Sequence, residues 1–469
     1  MSLVKKYVES LLLLNNINVS SHQHAFFNTF LTDAAILDAY QQVKKNQSFI
    51  LESWKERSIT EEIRQKHIPL PNATVGKIYR YVFDLAKLGL QDIGSFEWTM
   101  DDALGISFDT ATNTFTGTPQ QQGEHLLTLH YKLKDSSEDK PFFVKELRLI
   151  VNPDPKSLWQ NLPSDEQDEY WRPDNISAHT SFGNKKLIIG SKRGRSHAHE
   201  GRFRDDAFAY SYATTSGWGL IAVADGAGSA KYSRKGAAIA CDAVHEFFDI
   251  LLTSDKIQEI ETAVNAYTSQ ASEALQKQLS SLFIDQLGKA AFFAQSKIKE
   301  EAQRKEADIK DYATTLIFTM TRKFAAGYVI CSFWVGDGGI GIFDNTKPEV
   351  VVLGTPDSGE FAGQTRFLTM PDIFADSSYA NRIRFKIVPD FTALVLMTDG
   401  ITDPKFQTDA NLSKTAMWQE LWADLGGKNA DNCKIDFAAA PETAAAMLMN
   451  WLDFWSPGNH DDRTIAILY

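Results

Sequence analysis

Four strand-like hydrophobic runs, far apart in the chain, each abut an aspartate. WGLIAVADG, ICSFWVGDG and TALVLMTDG end on Asp-Gly, and in NHDDRTIAIL the strand follows the acids. Strands sharing one sheet system would bring Asp225, Asp337, Asp399 and Asp461 to one end of it, beside the acidic pair Asp205 and Asp206. A single Asp-Gly after a strand is an ordinary hairpin-turn signal, but turns do not need an acid at every such end. Carboxylates gathered this way repel one another and call for cations. Oxygen-only ligands favour magnesium or manganese over zinc. Two such ions with a bridging carboxylate and a bound water form an apparatus for attacking a phosphate ester.

At 469 residues the chain is long enough for two or three domains. Its formal net charge of -12 argues against a general nucleic-acid binder, because phosphate backbones are held mainly by Lys and Arg. Cys241, Cys331 and Cys433 form no CxxC pair, so a disulfide framework is not expected and a reducing, cytoplasmic setting is. The opening MSLVKKYVESLLLLNNINVS has a basic patch, but its apolar core is only Leu11 to Leu14 with no small-residue cleavage site, which argues against an export signal. No stretch approaches the roughly 20 apolar residues of a membrane span.

Three textures follow along the chain. Residues 1–65 carry apolar positions such as Val8, Leu11, Leu12, Phe26, Phe27, Phe30 and Leu31 at helical spacing, which predicts a pair of packed helices. Residues 66–153 change to short alternating runs broken by turn residues at Asn72, Gly117–Thr118–Pro119 and Gln122–Gly123, an all-β sandwich pattern. Pro71, Gly76, Tyr79, Phe96, Trp98, Gly105, Phe108 and TFTGTPQQQGEH resemble the Ig-like, cadherin-like modules of bacterial proteins, which bind or space other domains. Tyr79 and Trp98 read as core aromatics. Residues 154–175, rich in Pro, Asp and Glu, read as a linker pinned to a neighbouring surface by Trp159 and Trp171. The last domain is expected over residues 176–469.

Within that domain GRSHAHEGRFRDDAFAY, VADGAGSAKYSRKGAAIA, DYATTLIFTM, FWVGDGGIGIF, GEFAGQTRFLT, LVLMTDGITD and HDDRTIAIL occur in order from about Ser191 to Tyr469. Together they resemble the PPM-type, or type 2C, metal-dependent Ser/Thr protein phosphatases of a bacterial subgroup. The resemblance implies an α/β/β/α sandwich, two Mn2+ or Mg2+ ions, and hydrolysis of phosphoserine or phosphothreonine without a phosphoenzyme. Position by position it implies Asp225 as the bridging ligand, Gly226 as its carbonyl neighbour, and Asp399 and Asp461 completing one metal. Asp205 or Asp206 would hold the other, and Asp337 with Asp399 a third, weaker cation. A phosphorylated protein substrate and a cognate Ser/Thr kinase are the implied partners, with the Ig-like module recruiting a protein.

The chain also departs from that pattern. Asp225-Gly226-Ala227-Gly228 lacks the histidine that many members place after Asp-Gly, leaving His197 or His460 to act as general acid. Gly201 stands where the phosphate-binding arginine is usual, so Arg202 or Arg195 would reach the phosphate, a guanidinium matching its oxygens in bidentate fashion. Gly338 replaces a serine after Asp337, and Asp462 replaces an asparagine, adding charge beside the metals. Two further readings stand beside the phosphatase: a scaffold that senses a phosphorylated partner with little turnover, and a phosphoesterase for small molecules, which would need a deeper pocket.

Overall fold

The computed structural model describes residues 3–357 and 365–469. Most of the GEFAGQTRFLT motif, namely residues 359–364, therefore lies outside the described residues. The chain forms two compact units, Met1–Leu158 and Trp159–Tyr469. Among the described residues no helix is long and apolar enough to cross a membrane. The three cysteines are free, Cys241 and Cys331 being buried.

The first unit opens with three helices where two were expected, α1 (Leu3–Leu14), α2 (His24–Phe30) and α3 (Ala34–Gln65). The strands are β1 (Ala73–Thr74), β2 (Tyr79–Val82), β3 (Ile93–Thr99), β4 (Ile106–Asp109), β5 (Thr114–Gly117), β6 (Gly123–Leu133) and β7 (Phe143–Asn152). They form two sheets, ordered β1-β7-β6-β3 and β2-β5-β4. In β6, Leu127, Leu129, Tyr131 and Leu133 alternate into the core, the period-2 pattern of a sheet buried on one face. Trp98 sits in that core with Phe83, Phe108 and Phe115, and Tyr79 is buried. Gly117 has φ +152°, and a Cβ there would meet Gly105 O at 2.2 Å, so the Gly-Thr-Pro turn requires glycine for close approach.

The second unit contains β8 (Asn175–Phe182), β9 (Lys185–Lys192), α4 (Arg195–Glu200), β10 (Ala207–Tyr212) and β11 (Trp218–Ala224). Then come α5 (Ser233–Leu252), α6 (Asp255–Ser269), α7 (Glu273–Arg304), β12 (Leu316–Phe324), β13 (Gly327–Val335), β14 (Gly339–Asp344) and β15 (Glu349–Gly354). The chain closes with β16 (Ile383–Val388), β17 (Ala393–Met397), α8 (Asp399–Phe406), α9 (Thr415–Leu425), α10 (Pro441–Trp451) and β18 (Arg463–Leu468). Helices α6 and α7 are separated by a short break, where Ser272 caps the new helix by accepting from Leu275 N.

Two antiparallel sheets, β10-β11-β12-β13-β16 and β15-β14-β17-β18-β9-β8, pack face to face with helices outside. The near-continuous apolar runs are explained by burial on both faces. In β11, Ile221 and Val223 join the core between the sheets, while Leu220, Ala222 and Ala224 pack under α5 and α7. In β17, Leu394 and Leu396 face the inter-sheet core, while Val395 and Met397 face the layer of α8, α9 and α10.

Register sets where the acids go. Met397, at the end of β17, pairs with Ile465 near the start of β18, and Ala224, at the end of β11, pairs with Ala207 at the start of β10. The β13 strand is antiparallel to β12, itself antiparallel to β11, so β13 ends on the same side as β11. Asp206, Asp225, Asp337, Asp399 and Asp461 are thereby delivered to one end of the sandwich. The backbones there touch: a Cβ on Gly400 would lie 1.8 Å from Asp462 O. Replacing Gly400 with alanine is expected to destabilise the protein by at least about 1–3 kcal/mol, because packed backbone cannot retreat. The urea midpoint checks this, and an unchanged midpoint would show the loop to be looser than described.

Candidate metal centre

One carboxylate oxygen from each of Asp225, Asp337 and Asp399 lies within 4.8 Å of the other two. All three residues are half-buried. Asp225 follows β11, and its loop is tied to the segment before β12: Thr315 N and Thr314 Oγ1 donate to Asp225 O at 2.8 and 2.9 Å, and Asp225 N donates to Thr315 Oγ1. Gly226 bridges to Thr314 and approaches Asp205 O so closely that a Cβ would sit 2.9 Å away. Asp399 opens α8, where its charge also suits the positive end of the helix. Asp337 accepts from Thr365 Oγ1. The Oδ1 atoms of Asp337 and Asp399 are shielded and have no hydrogen-bond partner among the described residues.

The acidic pair divides its roles. Asp206 is buried, with Oδ2 accepting from Thr464 Oγ1 at 2.5 Å and Thr398 Oγ1 at 3.0 Å, while its Oδ1 has no partner among the described residues. Asp205 donates its N–H to Asp462 Oδ2 at 2.5 Å and also lines a cleft beside the centre. Asp462 accepts from Gly194 N at 2.6 Å and pairs with His197 Nδ1 at 3.1 Å through Oδ1. Both oxygens of Asp462 are therefore engaged in bracing, whereas the sequence suggested extra charge for the metals.

His197 is buried against this brace, with Nε2 lying 3.9 Å from Asp205 Oδ2. Burial opposes its charge, but the hydrogen bond to Asp462 and the nearby Asp205 and Asp461 win, pushing its pKa up to about 9. His460 is different: its ring lies between Trp159 and Trp455, at centroid distances of 4.4 and 4.8 Å, and burial with Arg195 and Arg463 lowers its pKa. Arg195 is committed to Phe454 O, Asp453 O and the Asp453 carboxylate, away from the carboxylate cluster. Arg202 stands at the cleft, its Nη2 donating to Gly228 O at 2.8 Å. Trp159 also packs on His199, and Trp171 donates to Ser164 Oγ, so both tryptophans of the acidic segment are anchored within this unit.

Burial pushes the carboxyl pKa values up throughout the cluster, and mutual repulsion adds to it. Asp225 and Asp399 are held well above the ordinary range by burial and by Asp399 and Asp337 respectively. Asp337 and Asp461 rise by burial as well, and Asp205, by burial and Asp462, to about 6. Asp403, which the sequence reading passed over, belongs to the same field, its pKa raised by burial and by Asp337. Thr398 and Thr464, which orient Asp206, were also missed; their signal was a hydroxyl beside each acidic motif. An all-oxygen donor set with shielded, unpartnered carboxylate oxygens suits a hard divalent cation, and Asp225, Asp337, Asp399, Asp206 and Asp461 are placed to hold one or more.

The family comparison matches residues 193–438 to protein phosphatase 2C. No curated protein matches the chain. Among solved structures, the serine/threonine phosphatase Stp1 of Staphylococcus aureus is 14% identical, covering 64% of this chain and 98% of that one at TM-score 0.35. The serine/threonine phosphatase PstP/Ppp of Mycobacterium tuberculosis is 14% identical, covering 61% and 97% at TM-score 0.33. A PstP catalytic domain in complex with two manganese ions is 15% identical, covering 62% and 98% at TM-score 0.33.

Raised carboxyl pKa values mean that the folded chain holds more protons than the unfolded chain above the ordinary carboxylate range, so stability falls as pH rises through that window. The imidazolium of His197 acts in the same direction, its contribution being complete below its unfolded value and lost as pH rises through about 9. Chelator-treated protein is thus expected to lose melting temperature between about pH 5.5 and pH 8. Asp399→Asn should raise the melting temperature at the upper pH by roughly 2–4 °C per kcal/mol of repulsion relieved, flatten the slope, and abolish stabilisation by Mn2+. An unchanged melting profile in this variant would mean that Asp399 is not under electrostatic load.

Proposed function

The chain belongs to the protein phosphatase 2C family, and from that premise we propose that it is a metal-dependent protein serine/threonine phosphatase. The carrying observation is the convergence of Asp225, Asp337 and Asp399 within 4.8 Å, with shielded carboxylate oxygens left unpartnered. Asp225, the Gly226 carbonyl, Asp399 and Asp461 would hold one ion, Asp225 with Asp205 or Asp206 would hold the second, and Asp337 with Asp399 would offer a third, weaker position. Bound Mn2+ or Mg2+ supplies Lewis acidity, activating water and neutralising phosphate charge.

The chain's own groups do the rest. Asp225 and Asp399 give the site the negative charge that retains cations, and Thr398 and Thr464 fix the rotamer of Asp206. Arg202, oriented by Gly228 O, presents the remaining donors of its guanidinium to phosphate oxygens. His197 stands in for the histidine absent at Ala227. Asp462 holds Nδ1 and leaves Nε2 as the free edge towards Asp205, and a pKa near 9 keeps the ring protonated at neutral pH. It donates a proton to the departing serine or threonine alkoxide. The strand-rich N-terminal unit serves as an Ig-like recruiting module, a role supported by its alternating strands and Gly-Thr-Pro turn.

Purified protein should release phosphate from a phosphothreonine peptide with Mn2+ and stop when chelator is added. Asp225→Asn should cost more than the roughly 10–100-fold that loss of an outer partner of a metal ligand costs. Metal binding without any turnover would instead establish the sensing scaffold. His197→Gln should lower peptide turnover by about 10²–10⁴-fold yet spare p-nitrophenyl phosphate, whose phenolate leaves without needing a proton. An equal loss on both substrates would make His197 a positioning residue for Asp462.

A further inference from the structure

A cleft of about 280 Å3 opens beside Asp205, lined by Arg202, Phe203, Ser229, Lys231, Ser233 and Arg234 among others. Its charges are markedly one-sided. Arg202 faces it from the loop before the acidic pair, with Glu200 3.9 Å away. Lys231 is exposed, lies over the Tyr232 ring at 4.7 Å, and makes no salt bridge among the described residues. Arg234 is only 7% exposed, paired with Asp168 at 2.5 Å and stacked on Phe203 at 3.8 Å, and its Nε has no hydrogen-bond partner among the described residues. Among the described residues, Asp205 is the one acid in the lining.

The positive end of α5 borders the same cleft. This 20-residue helix has no side-chain cap and no acid in its first turn, and it places Arg234 and Lys235 there instead. A helix N-terminus favours anions, so cations at that end cost stability unless something negative sits opposite them. Asp168 offsets Arg234, and Lys231 remains beside the helix end without a salt bridge among the described residues.

We propose that this cleft is a subsite for an anionic side chain flanking the phosphorylated residue, so that the preferred substrate is a phosphopeptide carrying a second negative group, carboxylate or phosphate. The subsite rests on the phosphatase reading and extends it from the reaction to the substrate. Asp205 joins the two regions, its backbone N–H in the brace of the metal centre and the residue itself in the lining of the cleft. An occupant of the cleft therefore lies next to a phosphate bound at the centre. Lys231 is the accessible cation of the subsite and the N-terminus of α5 adds to its positive field, while Arg202 stands between the subsite and the reacting phosphate.

The test uses full-length protein with Mn2+ and phosphothreonine peptides matched in length, flanked by neutral residues, by Asp and Glu, or by a non-hydrolysable phosphoserine analogue. Expected is a kcat/KM advantage of about three- to fivefold for an acidic flank, shrinking at high salt. It should vanish in Lys231→Ala and reverse in Lys231→Glu, while p-nitrophenyl phosphate turnover stays unchanged. An advantage confined to one acidic arm identifies that group as the ligand. Equal rates on all peptides, or Lys231 variants that also lose p-nitrophenyl phosphate turnover, overturn the subsite. Absence of metal-dependent turnover on every substrate would overturn the phosphatase reading. Fluorescence anisotropy of labelled acidic and neutral phosphopeptides would then decide the subsite, equal affinities overturning it.

Discussion

Repulsion among carboxylates that the fold forces together is the constraint on which the second unit depends. Asp225, Asp337, Asp399, Asp461 and the buried Asp206 belong to different strands and loops, and nothing local brings them near one another. The two sheets do so through antiparallel register, and the cost appears as carboxyl groups whose pKa values rise with burial and mutual charge. A loose framework would relax by moving the acids apart. This one is buried on both faces of its central strands, so the charges stay where the strand ends place them.

A polar brace around the cluster converts that constraint into geometry. Asp462 gathers the Gly194 and Asp205 amides and His197 on one carboxylate, linking α4, the segment before β10 and the start of β18. Buried Arg204 donates to Ser191 Oγ and Asp206 O, and Ser191 hydrogen-bonds Thr464, which orients Asp206. Charge-assisted bonds of this kind are strong and directional, and a network in which each member holds the next fixes side chains better than isolated pairs do. The same brace explains why His197 stays charged although it is buried, and why His460, two residues from Asp462, does not share its environment.

The surroundings of the cluster are asymmetric. On one flank Trp159 and Trp455 enclose His460 in an apolar wall. On the other, Arg202, Lys231, Arg234 and the bare N-terminus of α5 present positive charge. A negatively charged protein overall thus carries a local field of the opposite sign beside its most acidic cluster.

The strand-flanking aspartates, the Asp-Gly pairs and the alternating N-terminal strands were legible in the sequence because they follow from local chemistry. Continuous apolar runs need burial on both faces, and period-2 runs need one wet face. The convergence of the acids could be anticipated from their repeated place at strand ends, and the four layers followed from the family resemblance. Tertiary structure alone decided which neighbours became braces. Nothing in DDR distinguishes Asp462, with both oxygens tied to amides and imidazole, from Asp461, whose pKa burial and charge raise. The sequence offered Arg195 and Arg202 as equals, and likewise His197 and His460. Packing assigned Arg195 to Asp453 and His460 to two tryptophans, while Arg202 lies on Gly228 O at the cleft and His197 on Asp462. A residue's type determines what bonds it is able to make. Which of them it makes depends on partners hundreds of residues away, brought within reach only when the sheets close.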